Sequence, residues 1–250
     1  MTGLITSAAN AQVKALRALL EQKKERIASG TFVVEGERNI NAALAAGWLP
    51  VQFAASPAVI LPPERSALCL RVTPELMARL VGKDNPQPLL AVFRQRWSEL
   101  SAAQRGLWVA LEDIHDPGNL GTIIRTAAAV GAQGLILIGH CCEVYAPESI
   151  RASVGTFAHL QYIKCSASEF LAWRTGYSGR VVATHLQGSV DYREPDYPQP
   201  LILLMGSESH GLSSGLTASA DIKVRIPMRA EVESLNIASA TAVMLYQMTA

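Results

Sequence analysis

The sequence predicts an α/β protein in two domains, a small α/β domain followed by a larger one built on a mostly parallel sheet. Three observations carry that expectation. Apolar stretches of strand length recur between helical stretches along all 250 residues. After Leu107 these stretches become nearly unbroken runs of Leu, Ile and Val, the pattern of strands covered on both faces. The charge balance also changes along the chain. Residues 1–100 hold twelve Lys and Arg against eight Asp and Glu, residues 101–250 hold ten against thirteen, and the net charge is +1. A basic front on a neutral chain fits a module that meets a polyanion.

The elements follow in order. NAQVKALRALLEQKKERIASG reads as one amphipathic helix, with Val13, Leu16, Leu19 and Leu20 on its inner face and Gly30 as its stop. Its outer face carries Lys14, Arg17, Lys23, Lys24 and Arg26, a candidate phosphate-binding surface, although Glu21 and Glu25 are interspersed. TFVVEG reads as a strand and ERNINAALAAG as a second helix ending at Gly47. VQFAAS, ALCLRV and LLAVFRQR are further strands, with PELMARLVG as a short helix between the last two. This front domain spans residues 1–97, a linker covers 98–106 within WSELSAAQRG, and the second domain runs over 107–250. There the strands LWVALEDI, GLILIG, RVVATHL, PLILLMG and IKVRIP alternate with helices near 119–130, 147–154, 167–175, 210–218 and 235–248. Sheets of this kind bind ligands where strands end in loops.

Composition excludes several classes. Cys69, Cys141, Cys142 and Cys165 form no C-x-x-C pair, so neither a zinc site nor a disulfide framework is expected. His115, His140, His159, His185 and His210 lack metal-ligand spacing and read as structural, and no metal is expected. The start, MTGLITSAANAQVK, lacks the apolar run of a signal peptide. No window approaches the roughly 18 uninterrupted apolar residues of a membrane helix. The expectation is a soluble cytoplasmic protein without a membrane partner.

Three stretches carry chemistry. HDPGNLGTIIRTAAAVGA joins a strand to a helix whose one charge is Arg125. On a helical wheel Leu120, Ile123, Ile124, Ala127, Ala128 and Val130 share a face. The other face holds Gly121, Thr122, Arg125, Thr126 and Ala129, a smooth surface open to close approach by a ligand or a second subunit. Arg125 either pairs with a buried carboxylate or reaches a polar ligand, and Asn119 orients it or helps to cap the helix. Gly118, Gly121 and Gly131 do not spell G-x-G-x-x-G, so a dinucleotide-dependent dehydrogenase lacks its fingerprint. LILLMGSESHGLSSGL runs from a buried strand into a loop bounded by Gly206 and Gly211, where Glu208 offers a partner for Arg125. A serine-hydrolase elbow around Ser209 fails, because residue 207 is serine and no histidine follows His210. In VRIPMRAEVESLNIASATAVMLYQM, Ser234 is the expected N-cap of a helix starting at Leu235, with Asn236 beside it. That helix carries no charged side chain from Leu235 to Ala250, so its surface should be covered by this chain or by a second subunit.

NLGTIIRTA, GSESHGL and IPMRAEVESLNIASA, in this order and spacing, resemble the three signature motifs of the SpoU family of RNA 2′-O-ribose methyltransferases, in the SPOUT superfamily. The resemblance runs from Leu107 to the end. KALRALLEQKKERIASGTFVVEGERNINAALAAG is similar to the small ribosomal-protein-like RNA-binding domain that often precedes it. The resemblance implies a deep trefoil knot in the second domain, an exception to unknotted topology. It implies S-adenosylmethionine as cofactor, a homodimer with the active site at its interface, and RNA, ribosomal rather than transfer RNA, as partner. Catalytic positions map to Asn119, Arg125, Glu208, Ser234 and Asn236. Cofactor contacts map to Ala183, Thr184, Gly206, Ile226, Met228 and Leu235, and the front basic face to RNA phosphates. Ser209 stands where the second motif more often has glycine. Arg229 and Ala230 occupy a region where glycine is common; both changes fall in the cofactor loops. The family is often described with its arginine as base. The very high pKa of a guanidinium favours a different role, binding phosphate and stabilising developing alkoxide charge. The alternatives are a transfer-RNA methyltransferase and a catalytically inactive RNA-binding SPOUT protein.

Overall fold

The computed structural model describes residues 3–185, 190–207, 209–232 and 234–250, so the candidate Glu208 lies outside the described residues. The chain divides into two compact units, Met1–Gln95 with Glu143–Ala158, and Arg96–Cys142 with His159–Ala250.

The first unit runs through α1 (Ala11–Glu21), α2 (Lys23–Ser29), β1 (Thr31–Glu35), α3 (Glu37–Ala45) and β2 (Pro50–Ala55). It continues through α4 (Pro63–Ser66), β3 (Cys69–Arg71), α5 (Pro74–Val81) and β4 (Leu89–Arg94). The strands form a sheet in the order β1-β4-β2-β3, with β4 antiparallel to both neighbours and β3 parallel to β2. Val13 and Leu16 of α1 and Leu76, Met77 and Leu80 of α5 bury one face of it.

The single helix expected from Asn10 to Gly30 is two. Gln22 is extended (φ −122°, ψ 115°) and breaks the chain between α1 and α2. Beyond the break Arg26 is buried, its Nη2 2.5 Å from Glu143 Oε2 and its Nη1 donating to the Leu19 carbonyl at 2.9 Å. Arg26 is therefore a structural cation and not part of the outer basic face. Lys14, Arg17, Lys23 and Lys24 are exposed. Arg17 is paired with Glu21 at 2.8 Å, one turn along α1.

The second unit opens with a 3-10 turn at Leu100–Gln104 within the expected linker, then β5 (Leu107–Glu112), α6 (Pro117–Ala129) and β6 (Gly134–Ile138). The chain next passes through α7 (Pro147–Ser153), which belongs to the first unit, and returns as β7 (Gln161–Cys165), α8 (Ala167–Arg174), β8 (Arg180–Thr184) and β9 (Val190–Asp191). It ends with β10 (Leu201–Met205), α9 (Ser214–Ser219), β11 (Ile222–Arg225) and α10 (Ile237–Met248). The sheet order is β7-β6-β5-β10-β8-β11-β9, and every described pairing is parallel. The apolar runs read as doubly covered strands are that: all residues of β5, β6 and β10 are buried.

The segment 143–158 packs with the first unit through aromatic side chains. The Phe32 ring lies 4.5 Å from that of Tyr145, and Trp48 lies 5.6 Å from Phe157. Trp48 Nε1 also donates to the Ala158 carbonyl at 3.1 Å. The sequence reading placed this segment in the second domain. Among the described residues no helix is long and apolar enough to cross a membrane.

Candidate active site

The site is built at the C-terminal ends of the parallel strands. β5 ends at Glu112, and Asp113 follows with a left-handed φ of 49°, its Oδ1 accepting the His140 N–H at 2.6 Å. α6 then starts in the way its sequence specifies. Asp116 is the N-cap and accepts the Asn119 N–H at 2.6 Å, and Pro117 occupies the first turn, where no N–H is needed. Leu120, Ile123, Ile124 and Ala127 are buried as the wheel predicts, and so is Gly121, so the covered side is broader than expected. Thr122, Arg125 and Ala129 remain exposed.

α10 packs on α6. Its N-cap is Asn236, whose Oδ1 accepts the N–H groups of Ala238 and Ser239 at 2.9 and 3.3 Å. This corrects the expected cap at Ser234, since the helix starts at Ile237, two residues later than read. The Asn236 amide does a second thing: its Nδ2 donates to Asn119 Oδ1 at 3.0 Å. One hydrogen bond thus ties the first motif to the third across 117 residues of chain.

Beside this junction lies a cavity of about 520 Å³, within the range of roughly 300–1,000 Å³ usual for small-molecule sites. It sits where β8, β10 and β11 end. Of the six expected cofactor positions, Thr184, Gly206, Ile226, Met228 and Leu235 line it. Ala183 does not; it is fully buried in the sheet core, one residue short of the strand end. Ser234 lines the cavity, as do His185 and His210, which the sequence reading took for structural.

The loop after β10 doubles back tightly. The Gly211 N–H donates to the Ser207 carbonyl at 2.9 Å, and Gly211 is left-handed. A Cβ on Gly206 would stand 2.1 Å from the Gly211 carbonyl carbon, so only glycine fits there. This turn is why the helix expected from 210 begins at Ser214. Ser209 Oγ lies 2.7 Å from His210 Nδ1, an exposed neighbouring pair.

Sequence reasoning missed Glu112. Its carboxylate is buried at 7% exposure, and Oε2 accepts the Ser213 N–H at 2.7 Å, pinning the far end of the same loop to β5. The signal was a glutamate ending an otherwise apolar strand.

Arg125 is not gathered into the cavity. It is exposed, with no hydrogen bond or ion pair among the described residues, and stands six residues beyond Asn119, roughly 9 Å along the helix axis. Cys141 and Cys165 are poor nucleophiles: burial pushes the Cys141 thiol up and that of Cys165 up to about 12. Among the described residues no cluster of His, Cys, Asp and Glu is arranged to hold a metal ion.

Comparison with known proteins yields two matched families. The SpoU rRNA Methylase family matches residues 106–246, and the MRM3-like substrate binding domain matches residues 10–91. The 23S rRNA (uridine(2479)-2′-O)-methyltransferase of Streptomyces viridochromogenes is 32% identical, covering 95% of this chain and 89% of that one. The 23S rRNA (guanosine(2553)-2′-O)-methyltransferase RlmP of Bacillus subtilis is 27% identical over 98% of both. Among solved structures, AdoMet-bound rRNA methyltransferase from Sinorhizobium meliloti superposes with a TM-score of 0.92 at 38% identity, covering 99% of this chain and 97% of that one.

Proposed function

This chain belongs to the SpoU rRNA Methylase family, and from that premise we propose that it transfers a methyl group from S-adenosylmethionine to a ribose 2′-hydroxyl of ribosomal RNA. The observation that carries the reading is the Asn119–Asn236 hydrogen bond, which joins two separate motifs. Neither side chain lines the cavity, but Leu235 and Ile237 on either side of Asn236 do, and the cavity has the right size. Two relatives that cover both units are named as 23S ribosomal RNA enzymes, whereas relatives named as transfer-RNA enzymes cover 59% of the chain, which favours ribosomal RNA over transfer RNA.

The donor set fits the cofactor. Met205, Val224, Ile226 and Ile237 offer an apolar wall for an adenine ring, and the glycine-bounded loop offers main-chain polar groups. When bound, S-adenosylmethionine supplies an electrophilic methyl group. The protein's own task is to hold the ribose hydroxyl in line and to stabilise charge developing on its oxygen. Asn119, fixed by Asn236, and Ser234 at the cavity rim position the nucleotide. Arg125 binds the adjacent phosphate and stabilises the alkoxide, and Glu208 serves as a partner for its guanidinium.

The reading includes a homodimer. Thr122, Arg125 and Ala129 of α6 and Val243 and Tyr246 of α10 are exposed on two helices that pack together, with Arg125 as the one charge among them. A second copy on that face brings Arg125 of one subunit to the other's cavity. The trefoil knot implied by the motifs belongs to the same reading; β10 lying between β5 and β8 supports it. So does action in the cytoplasm, where ribosomal RNA is modified.

The test is a map of ribose methylation. Ribosomal RNA from cells lacking the protein should miss one 2′-O-methyl group that the purified protein and S-adenosylmethionine restore. Identical methylation maps with and without the protein, and no transfer in vitro, refute the assignment.

A further inference from the structure

The first unit holds a second cavity, of about 340 Å³, which neither the motifs nor the family matches assign. It lies between the start of α3, the loop before β4, and α7. At its side the Glu35 carboxylate, mostly buried, accepts from Lys83 Nζ at 2.9 Å and from the Gln87 N–H at 3.3 Å. Arg151 Nη2 stands 3.6 Å from the same carboxylate. One carboxylate thus holds two cations at the rim. Arg38 adds a third that has no partner among the described residues, while Glu37 is the remaining anion of the lining. The rim is left net positive.

The rest of the lining is of two kinds. Asn39, Asn85 and Gln87 bring amides that both donate and accept, and Asn39 is held by donating to the Glu35 carbonyl at 3.1 Å. Val33 and Ile150 form an apolar floor. The volume far exceeds a single phosphate and sits at the lower end of the roughly 300–1,000 Å³ range for one small ligand. Cations for a phosphate, amides for a base edge and an apolar floor for a base face together match one unstacked nucleotide.

We infer that this cavity binds a single unpaired ribonucleotide of the RNA substrate, splayed out of a loop or bulge away from the methylated residue. The inference rests on the proposal that the chain acts on RNA. It assigns Arg38 and Arg151 to the phosphate and the three amides to the base. The first unit then reads RNA shape at a built pocket, in addition to the diffuse attraction of the helical lysines.

Arg38 and Arg151 are both exposed, and Glu35 keeps Lys83 and the Gln87 N–H without them, so the variant Arg38→Gln/Arg151→Gln leaves the fold intact. The full-length protein is tested with an unmethylated 23S ribosomal RNA transcript carrying 4-thiouridine. Wild type should crosslink at α7 or the start of α3. The variant should lose that crosslink, bind the transcript about tenfold more weakly, and show a salt slope flatter by about 0.7, the value for one single-strand phosphate no longer neutralised. Its affinity for S-adenosylmethionine should not change. A variant with wild-type affinity, slope and crosslinks overturns the pocket while leaving the methyltransferase reading standing. A wild type with no affinity for RNA overturns both. Saturation by free nucleoside monophosphates without any RNA crosslink makes the pocket a small-molecule site and overturns the proposal.

Discussion

Arg125 stands on a helix that carries no other charged side chain, exposed and without a partner among the described residues. A guanidinium held in that way is free to meet a ligand phosphate, and removing it breaks no hydrogen bond or ion pair among the described residues. Arg125→Ala is therefore expected to keep its melting temperature and its calorimetric affinity for S-adenosylmethionine. Methyl transfer should fall by about 10²–10³-fold, the usual loss for one charge-stabilising donor. Wild-type turnover on ribosomal RNA would remove Arg125 from the reaction. Asn236 behaves differently because it has two jobs. Asn236→Ala loses the cap of α10, a cost of about 1 kcal/mol, and also breaks the hydrogen bond to Asn119. A thermal melt should show lower stability, and transfer should fall with it; Asn236→Ser, which restores a cap but cannot span to Asn119, should recover the melt and not the activity. At this scale the lone arginine was visible in the sequence because its surroundings were so uniform. The cap was not, since Ser234 and Asn236 are equally good capping residues two positions apart. The fate of Arg26 was hidden as well: its partner Glu143 lies 117 residues away, and periodicity speaks only of neighbours.

Elements were legible where their patterns were strong. The buried strands β5, β6 and β10 are continuous apolar runs and were read correctly. β7 was missed because it is an edge strand whose Gln161 and Lys164 face solvent, which dilutes the apolar signal. The front helix kept its apolar rhythm through Gln22, so its break left no trace in composition. That break matters for RNA. It leaves Lys14, Lys23 and Lys24 exposed while Arg26 turns inward. Changing these three lysines to glutamine should weaken binding to ribosomal RNA and lower the slope of log affinity against log salt by up to about 2, at roughly 0.7 per contact. Filter binding over a salt series measures it. An unchanged slope would mean that these lysines are merely solvated.

For the whole molecule, the surface of α10 decides what the protein is in solution. A helix without a charged side chain was expected to be covered, yet Tyr246 is 61% exposed and Val243 36%. These two side chains stand three residues apart, one turn along α10, and α10 packs on α6, the helix that carries Arg125. An apolar face of this kind is unfavourable in water, and in the proposed homodimer an isologous contact with a second copy would cover it. The proposed contact would carry Arg125, which does not line its own cavity, to the cavity of the second copy. Tyr246→Glu places charges against each other across such an interface. It should yield a monomer by light scattering, with methyl transfer lost although the cavity is untouched. A mixing experiment then separates a shared site from mere dimer stability. Arg125→Ala lacks the arginine, and Ile226→Trp fills the cavity, so each homodimer is inactive. In an equal mixture half of the dimers are mixed, and each of those has one intact site, so activity should return to about a quarter of wild type. No recovery, with mixed dimers demonstrated by mass, would place Arg125 and the cavity of the same subunit in one site.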